Sequence, residues 1–198
     1  MTKSTQGASS RRIGSEDSKT RAALLEAARR LMLEEGYSAV TSRRVAARAG
    51  LKPQLVHYYF RTMEELFLTL FRQGAEANLR RHTEALASGP PLRAIWEFSR
   101  DPAGTALTLE FVALANHRKA IRAELVAYAE RFRQLELEAV RAALEQSAED
   151  PDAWPPEALL LVLAGVGQFL AMEVNLGMDT AHDPTRAAVE RLLDRLER

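Results

Sequence analysis

The chain has 198 residues, with 27 Lys and Arg side chains, 27 Asp and Glu side chains and no cysteine. Its length suits one domain of ordinary size or two small ones. A composition of 46% hydrophobic and 27% charged residues is typical of a globular protein, not of a disordered or fibrous one. The lack of cysteine excludes disulfides, thiolate nucleophiles and zinc–thiolate sites.

The charges are divided unevenly along the chain. Residues 1–62 hold twelve basic and five acidic side chains, a net charge of +7. The other 136 residues hold fifteen basic and twenty-two acidic side chains, a net charge of −7. A basic N-terminal third indicates a polyanionic partner for that part of the chain, which the zero total conceals.

The ends of the chain and its longest apolar run indicate no membrane partner. Residues 1–16 are rich in Ser, Thr, Gly and Arg, contain no apolar signal segment and predict a flexible arm. The longest apolar run, Ala158 to Met172, has fifteen residues with Gln168 inside it. Since a bilayer-spanning helix needs roughly 20 residues, this run predicts a buried helix.

Apolar residues recur at helical spacing through the chain, and no segment alternates as a strand would. Gly36, Gly50 and the Ser88-Gly89-Pro90-Pro91 segment end predicted helices. The predicted helices, in chain order, are 18–35, 41–49, 53–59, 63–87, 92–100, 103–117, 119–147, 156–177 and 184–197. The sequence therefore predicts an all-α protein with about nine helices.

Residues 41–60 predict two helices that are too short to be stable alone in water. The helix over 18–35 would cover their apolar side, which consists of Val45, Ala46, Ala49, Leu51 and Val56. The two alanines permit a close approach, and Gly50 permits a tight turn. This pattern is typical of a helix-turn-helix whose second helix enters the DNA major groove.

The same region resembles the TetR family of bacterial transcriptional regulators over about residues 18–67. The resemblance rests on Gly36-Tyr37, Thr41, Val45-Ala46, Ala49-Gly50-Leu51, Tyr58-Tyr59-Phe60 and Glu64-Glu65-Leu66. It implies a cytoplasmic, homodimeric, ligand-responsive repressor whose last two helices form a four-helix dimer interface. We therefore expect an arm over 1–16, a DNA-binding domain over 17–62 and an effector-binding and dimerisation domain over 63–198.

The resemblance also implies roles by position. Thr41 would cap the second helix, Ser42 would touch a phosphate and Arg43 would contact a base edge. The exposed start of the recognition helix would consist of Lys52, Pro53, Gln54 and Leu55, with His57 and Tyr58 near phosphates. Arg bonds guanine O6 and N7 in a fork and Gln pairs with adenine, so Arg43 and Gln54 are the predicted base readers. Lys52 and Tyr58 suit phosphates, which fix the register.

Three residues depart from the family pattern. His57 stands where Tyr is frequent, and Met63 stands where Lys is frequent. Each change makes one phosphate contact less secure. Lys52 stands where a small capping residue is frequent, which weakens the start of the recognition helix or adds a phosphate contact.

The C-terminal part predicts a helical bundle that dimerises. Residues 156–177 are apolar on nearly every side, and one domain of this size covers only one side, so a second subunit is the economical cover for another. The predicted interface comprises Leu160, Leu163, Gly167, Leu170, Val174, Val189, Leu192, Leu193 and Leu196. A seam of spacings three and four along the helix 119–147 predicts its core face: Ile121, Leu125, Tyr128, Phe132, Leu135, Ala139 and Ala142.

An effector pocket would combine apolar walls with a few polar anchors. The candidates are Trp96, Phe98, Glu110, Phe111, Leu114, Asn116, His117, Tyr128, Phe132 and Gln168. Their mixture favours a lipophilic or aromatic effector. The four histidines are scattered without paired ligand spacing, so we expect no metal and no cofactor.

The predicted function is that of a repressor that binds an inverted repeat in double-stranded DNA and leaves it when a small molecule binds. An all-helical enzyme is one alternative, but no nucleophile–base pair or Gly-rich phosphate loop supports it. A protein-binding adaptor bundle is the other alternative, and it leaves the +7 module unexplained.

Overall fold

The structure, a computed structural model, describes residues 6–147 and 153–197, with side chains from residue 19 onward. Over these residues it contains nine α-helices, one short 3-10 turn and no strand. The helices are α1 Gln6–Glu35, α2 Ser42–Arg48, α3 Pro53–Tyr59, α4 Met63–Ser88, α5 Pro91–Ser99, α6 Pro102–Ala115, α7 Lys119–Gln146, α8 Pro156–Asn175 and α9 His182–Leu196. The predicted all-α class is confirmed.

The chain divides into two compact units between Arg72 and Gln73, within α4. The expected boundary between residues 62 and 63 lies at the start of the same helix. Residues 1–5 of the expected arm lie outside the described residues, and residues 6–16 lie in α1. The flexibility expected of the arm stays a prediction.

The first unit buries one apolar side of α1, which packs on α2 and on the 3-10 turn that precedes it. Leu24, Ala28 and Met32 are fully buried, as expected from their helical spacing. Gly36 follows α1 with φ 83°, a left-handed conformation that favours glycine, and the 3-10 turn Tyr37–Ala39 leads the chain into α2.

The second unit is a helical bundle with α8 at its centre. Helices α5, α6 and α7 all pack on α8, and α9 adds its apolar side to the same core. Leu92, Trp96, Leu159 and Leu163 are essentially inaccessible to solvent. By length and composition α8 is apolar enough to cross a bilayer, and one side of it packs on α5, α6 and α7.

Helix α9 is fixed to the start of α5 by polar contacts. The Arg93 guanidinium donates to Glu190 at 2.6 Å and also to Asp194. Glu197 accepts the backbone N–H of Leu92 at 2.6 Å, which satisfies one of the unpaired donors at the N-terminus of α5. Burial raises the pKa of Glu197, and hydrogen bonds from the backbone N–H groups of Leu92 and Arg93 oppose this rise.

The buried side of α7 departs from the predicted seam in its second half. Ile121 is buried as expected, but after Phe132 the buried positions are Glu136, Leu137, Val140 and Ala143. Ala142 of the predicted seam is exposed. A strict seven-residue repeat drifts around a helix of 3.6 residues per turn, so the core side moves by one position.

Candidate nucleic-acid interface

Helix α2 begins at a polar cap. Thr41 has an extended backbone, and its side-chain oxygen accepts the N–H of Arg44 at 3.4 Å. This geometry is the capping role predicted for Thr41. Val45 and Ala46 then turn into the core, which leaves the side of α2 that carries Arg43 in solvent.

The turn between α2 and α3 depends on Gly50, which has φ +67° and open space where a side chain would begin. The Leu51 N–H donates to the Ala46 carbonyl at 2.9 Å, which closes the turn. Helix α3 starts with Pro53 in its first turn, a favoured position for proline. Lys52, the residue before it, makes no side-chain cap hydrogen bond, in agreement with the weak start expected there.

The predicted DNA contacts lie on α2, on α3 and at the residues that precede these helices, and we call this set the recognition surface. Seven of the nine are exposed, Ser42 and Leu55 are half-buried, and Tyr58 is 71% accessible. The recognition surface comprises Thr41, Ser42, Arg43, Lys52, Pro53, Gln54, Leu55, His57 and Tyr58. Opposite it, Val56 and Phe60 are buried and hold α3 in place.

The arginines of α2 divide into two groups. Arg44 forms an ion pair with Glu35, and Arg48 forms one with Glu34, so both join α2 to the end of α1. Arg43 is exposed on the recognition surface beside the α2 cap. Arg43 and Lys52 thus give this surface positive charge, while Glu34 and Glu35 of α1 are paired with Arg48 and Arg44.

Of the expected effector residues, the structure brings three together in the second unit. The Phe98 and Phe132 ring centroids are 5.2 Å apart, and those of Tyr128 and Phe132 are 5.6 Å apart. His82 of α4 lies between them, stacked on Phe132 at 4.7 Å and tilted against Phe98 at 4.3 Å. We call these four rings the aromatic cluster.

A buried carboxylate completes the aromatic cluster. Glu136 of α7 is 7% exposed, and its Oε1 lies 3.1 Å from Nε2 of the fully buried His82. Sequence reasoning missed both residues. Glu136 carried a signal, because it lies four residues from Phe132 and four from Val140, on the side of α7 that faces the core.

The other expected effector residues are dispersed. Trp96, Phe111 and Leu114 are core residues, and the Trp96 indole N–H donates to Glu190 at 3.2 Å. Glu110 is half-buried, whereas Asn116, His117 and Gln168 are exposed.

The residues expected at a dimer interface mostly fill the core of the chain itself. Seven of the nine are buried there: Leu160, Leu163, Gly167, Leu170, Val189, Leu193 and Leu196. Leu192 is partly buried against the same core, and Val174 is 43% exposed. The interface itself stays a prediction, and the exposed apolar face of α8 consists of other residues. We call it the α8 stripe, and it contains Ala158, Leu161, Val162, Gly165, Phe169 and Leu176.

Part of the first unit is similar to a known family. Residues 24–70 match the family model described as "Bacterial regulatory proteins, tetR family". The matched segment contains the whole recognition surface and the start of α4.

One relative by sequence is the HTH-type transcriptional regulator BetI of Rhizobium meliloti (strain 1021), which is 32% identical over 132 residues. The match covers 62% of this chain and 64% of that protein, so the chain spans slightly less than two thirds of the relative's length.

Two solved structures share the fold. A transcriptional regulator from Saccharomonospora viridis in complex with choline superposes with a TM-score of 0.74 at 20% identity, over 89% of this chain and 96% of that one. The multidrug binding protein EbrR complexed with imidazole gives a TM-score of 0.57 at 27% identity, over 91% of this chain and 90% of that one. The nine-helix architecture of the described residues is therefore a known one.

Proposed function

We propose that this chain, which belongs to the tetR family of bacterial regulatory proteins through its N-terminal module, is a homodimeric repressor that binds an inverted repeat in DNA. A small organic molecule, bound in the second unit, would release it from that operator. The protein would act in the cytoplasm, without a membrane partner, cofactor or metal.

The recognition surface is the single observation that carries this proposal. It presents Arg43 and Gln54, which suit guanine and adenine, beside Lys52 and Tyr58, which suit phosphates. Neither an enzyme nor an adaptor bundle needs these residues on the exposed side of a capped, basic helix pair. The match of residues 24–70 to a family of regulators supports the same conclusion.

Dimerisation would be mediated by the α8 stripe. Leu161 and Phe169 of α8 are 55% and 53% exposed, and Leu176, which follows the last residue of the helix, is 68% exposed. These positions are separated by seven or eight residues, so they lie on one side of the helix. In a two-fold symmetric dimer the two α3 helices would be related by the axis, which suits an inverted repeat with half-sites about 34–36 Å apart or a multiple of that spacing.

The effector would bind in the second unit and act through α4. This helix carries residues of both compact units without a break, and a shift at its C-terminal half would be the signal to the first unit. The structural relative solved with choline supports a small organic cation as one class of effector. A coupling of about 1–3 kcal/mol would give a usable response.

Selection of duplexes from a random library, followed by footprinting, tests the proposal. We expect the purified dimer to select an inverted repeat and to lose affinity steeply as salt rises, because phosphate contacts release counterions. Enrichment of no sequence, or of a site without two-fold symmetry, would contradict it. The Thr185→Ala variant is the control. Its change lies on α9, far along the chain from the recognition surface, so it should select the same repeat as the wild type.

A further inference from the structure

The basic side chains of the first unit fall into a paired and an unpaired set. Ion pairs with carboxylates of α1 engage four arginines: Arg29, Arg30, Arg44 and Arg48. Within residues 19–62, the basic side chains without an ion pair to a described carboxylate are Lys19, Arg21, Arg43, Lys52 and Arg61. Arg43 and Lys52 belong to the recognition surface, which leaves Arg21 and Arg61 to be explained.

Arg21 of α1 lies at the C-terminal end of the recognition helix α3. Its guanidinium carbon is 5.3 Å from the centroid of the Phe60 ring, and Phe60 is the residue that ends α3. Phe60 is buried, whereas Arg21 is exposed. Because an aromatic face attracts a cation, this contact fixes the guanidinium at the end of α3 while the side chain stays accessible to solvent.

Arg61 is held at the same end of α3 by the turn that begins α4. Its backbone N–H donates to Glu65 Oε2 at 2.9 Å, and the Glu65 N–H donates to Thr62 Oγ1 at 3.0 Å. These two hydrogen bonds fix the backbone of the turn in the manner of a capping box. The Glu65 carboxylate is thus engaged by the backbone, and the Arg61 side chain is exposed.

We propose that Arg21 and Arg61 form a second phosphate contact, at the opposite end of α3 from Lys52. A guanidinium is always charged, and its planar fork of N–H donors matches the oxygens of a phosphate. Contacts at both ends of α3 would fix its position on the DNA backbone without reading a base. The inference deepens the proposed function, on which it rests for the presence of the duplex.

The salt dependence of duplex binding by the full-length protein tests the inference. Dissociation constants are measured between about 50 and 200 mM salt, on the selected inverted repeat and on a scrambled duplex of the same length. Each phosphate contact contributes about 0.9 to the slope of log affinity against log salt, so the Arg21→Gln, Arg61→Gln double variant should lose about 1.8 of that slope. The loss of affinity should be similar for both duplexes, because phosphates carry no sequence information. An unchanged slope would overturn the inference.

Charge-matched variants separate a phosphate contact from a general effect of charge. Arg29→Gln, Arg30→Gln removes two charges from side chains that are paired with Glu26, and it should keep the wild-type slope. An equal fall of the slope in this control would overturn the inference. Arg21→Lys, Arg61→Lys retains both charges and should also keep the slope. If the double glutamine variant does not fold, Arg61→Gln alone leaves the contact of Arg21 with Phe60 in place and should lower the slope by about 0.9.

The failure of the inference and that of the proposed function are distinguishable. Equal affinity of the wild type for both duplexes would contradict the proposed function, and the slopes on the scrambled duplex would still decide the role of Arg21 and Arg61. Preference for the repeat together with wild-type slopes in the glutamine variants would overturn the inference alone. Binding of the wild type to neither duplex would overturn both.

Discussion

Ser99 of α5 lies so close to Gly167 of α8 that a β-carbon at residue 167 would be 1.9 Å from the serine oxygen and 2.8 Å from its β-carbon. The Ser99 hydroxyl donates to the Trp96 carbonyl of the same helix at 2.8 Å and lies 3.5 Å from the Leu163 carbonyl of α8. The glycine is therefore required by the core of the chain itself.

Replacement of Gly167 by Ala should destabilise the fold by about 1–3 kcal/mol, because the serine β-carbon cannot rotate away. The control is Gly74→Ala in α4, where a β-carbon would have nothing within 4 Å. In a helix interior that change should be neutral or stabilising by up to about 1 kcal/mol. Urea denaturation of both variants measures the difference, and equal stability would contradict the packing described here.

Gly50 should tolerate asparagine better than alanine. Its φ of +67° costs an ordinary side chain about 1–2 kcal/mol, whereas Asn adopts this region more readily. We expect Gly50→Ala to lower the thermal stability of the helix-turn-helix and to weaken DNA binding, with Gly50→Asn closer to wild type. Thermal melting followed by circular dichroism compares the stability of the two variants. If lack of space, and not backbone conformation, requires glycine here, the smaller alanine would be tolerated better than asparagine.

Glu26 should contribute to stability at neutral but not at strongly acidic pH. Hydrogen bonds from Arg29, followed by those from Arg30, lower its pKa from 4.5 to about 2. Its contribution is complete above pH 4.5 and is lost as the pH falls through about 2. The pair is exposed, so the effect should remain below about 1 kcal/mol.

The Glu26→Gln variant separates this carboxylate from the other acids. The contribution of Glu26 begins to be lost between about pH 5 and pH 3. Over this range the free energy of unfolding should fall less for the variant than for the wild type. Parallel pH profiles in denaturant titrations would show that the ion pair has no net effect.

Phe169→Glu should separate the dimer. A carboxylate at this exposed position of the α8 stripe would be buried without a partner on pairing, so we expect the dimer dissociation constant to rise at least about 100-fold. Val126→Glu is the control, since Val126 is a 55% exposed apolar residue on α7, away from the stripe. Light scattering after size exclusion measures both masses, and a dimeric Phe169→Glu protein would place the interface elsewhere.

The helices and the helix-turn-helix could be predicted from the sequence because their signals are local. Gly36 and Gly50 end their segments by backbone conformation, and Thr41 caps α2 by a hydrogen bond three residues away. Such features depend on neighbouring residues and not on the rest of the fold.

The residues of α7 and α8 that are buried could not be predicted as well, because burial depends on which side of a helix faces the core. Helix α8 is apolar nearly all round, so its pattern does not tell Leu163, which is buried, from Leu161, which is exposed. The His82–Glu136 pair joins residues 54 positions apart, a contact that no local pattern contains.

Sequence preference in DNA binding is the most direct test of the central claim. The dissociation constants of wild type and of the Arg43→Ala, Gln54→Ala double variant are measured on the selected repeat and on a scrambled duplex at physiological salt. The wild type should prefer the repeat by about a thousandfold or more, and the double variant should lose at least about tenfold of that preference. Equal affinity of the wild type for both duplexes would contradict the account.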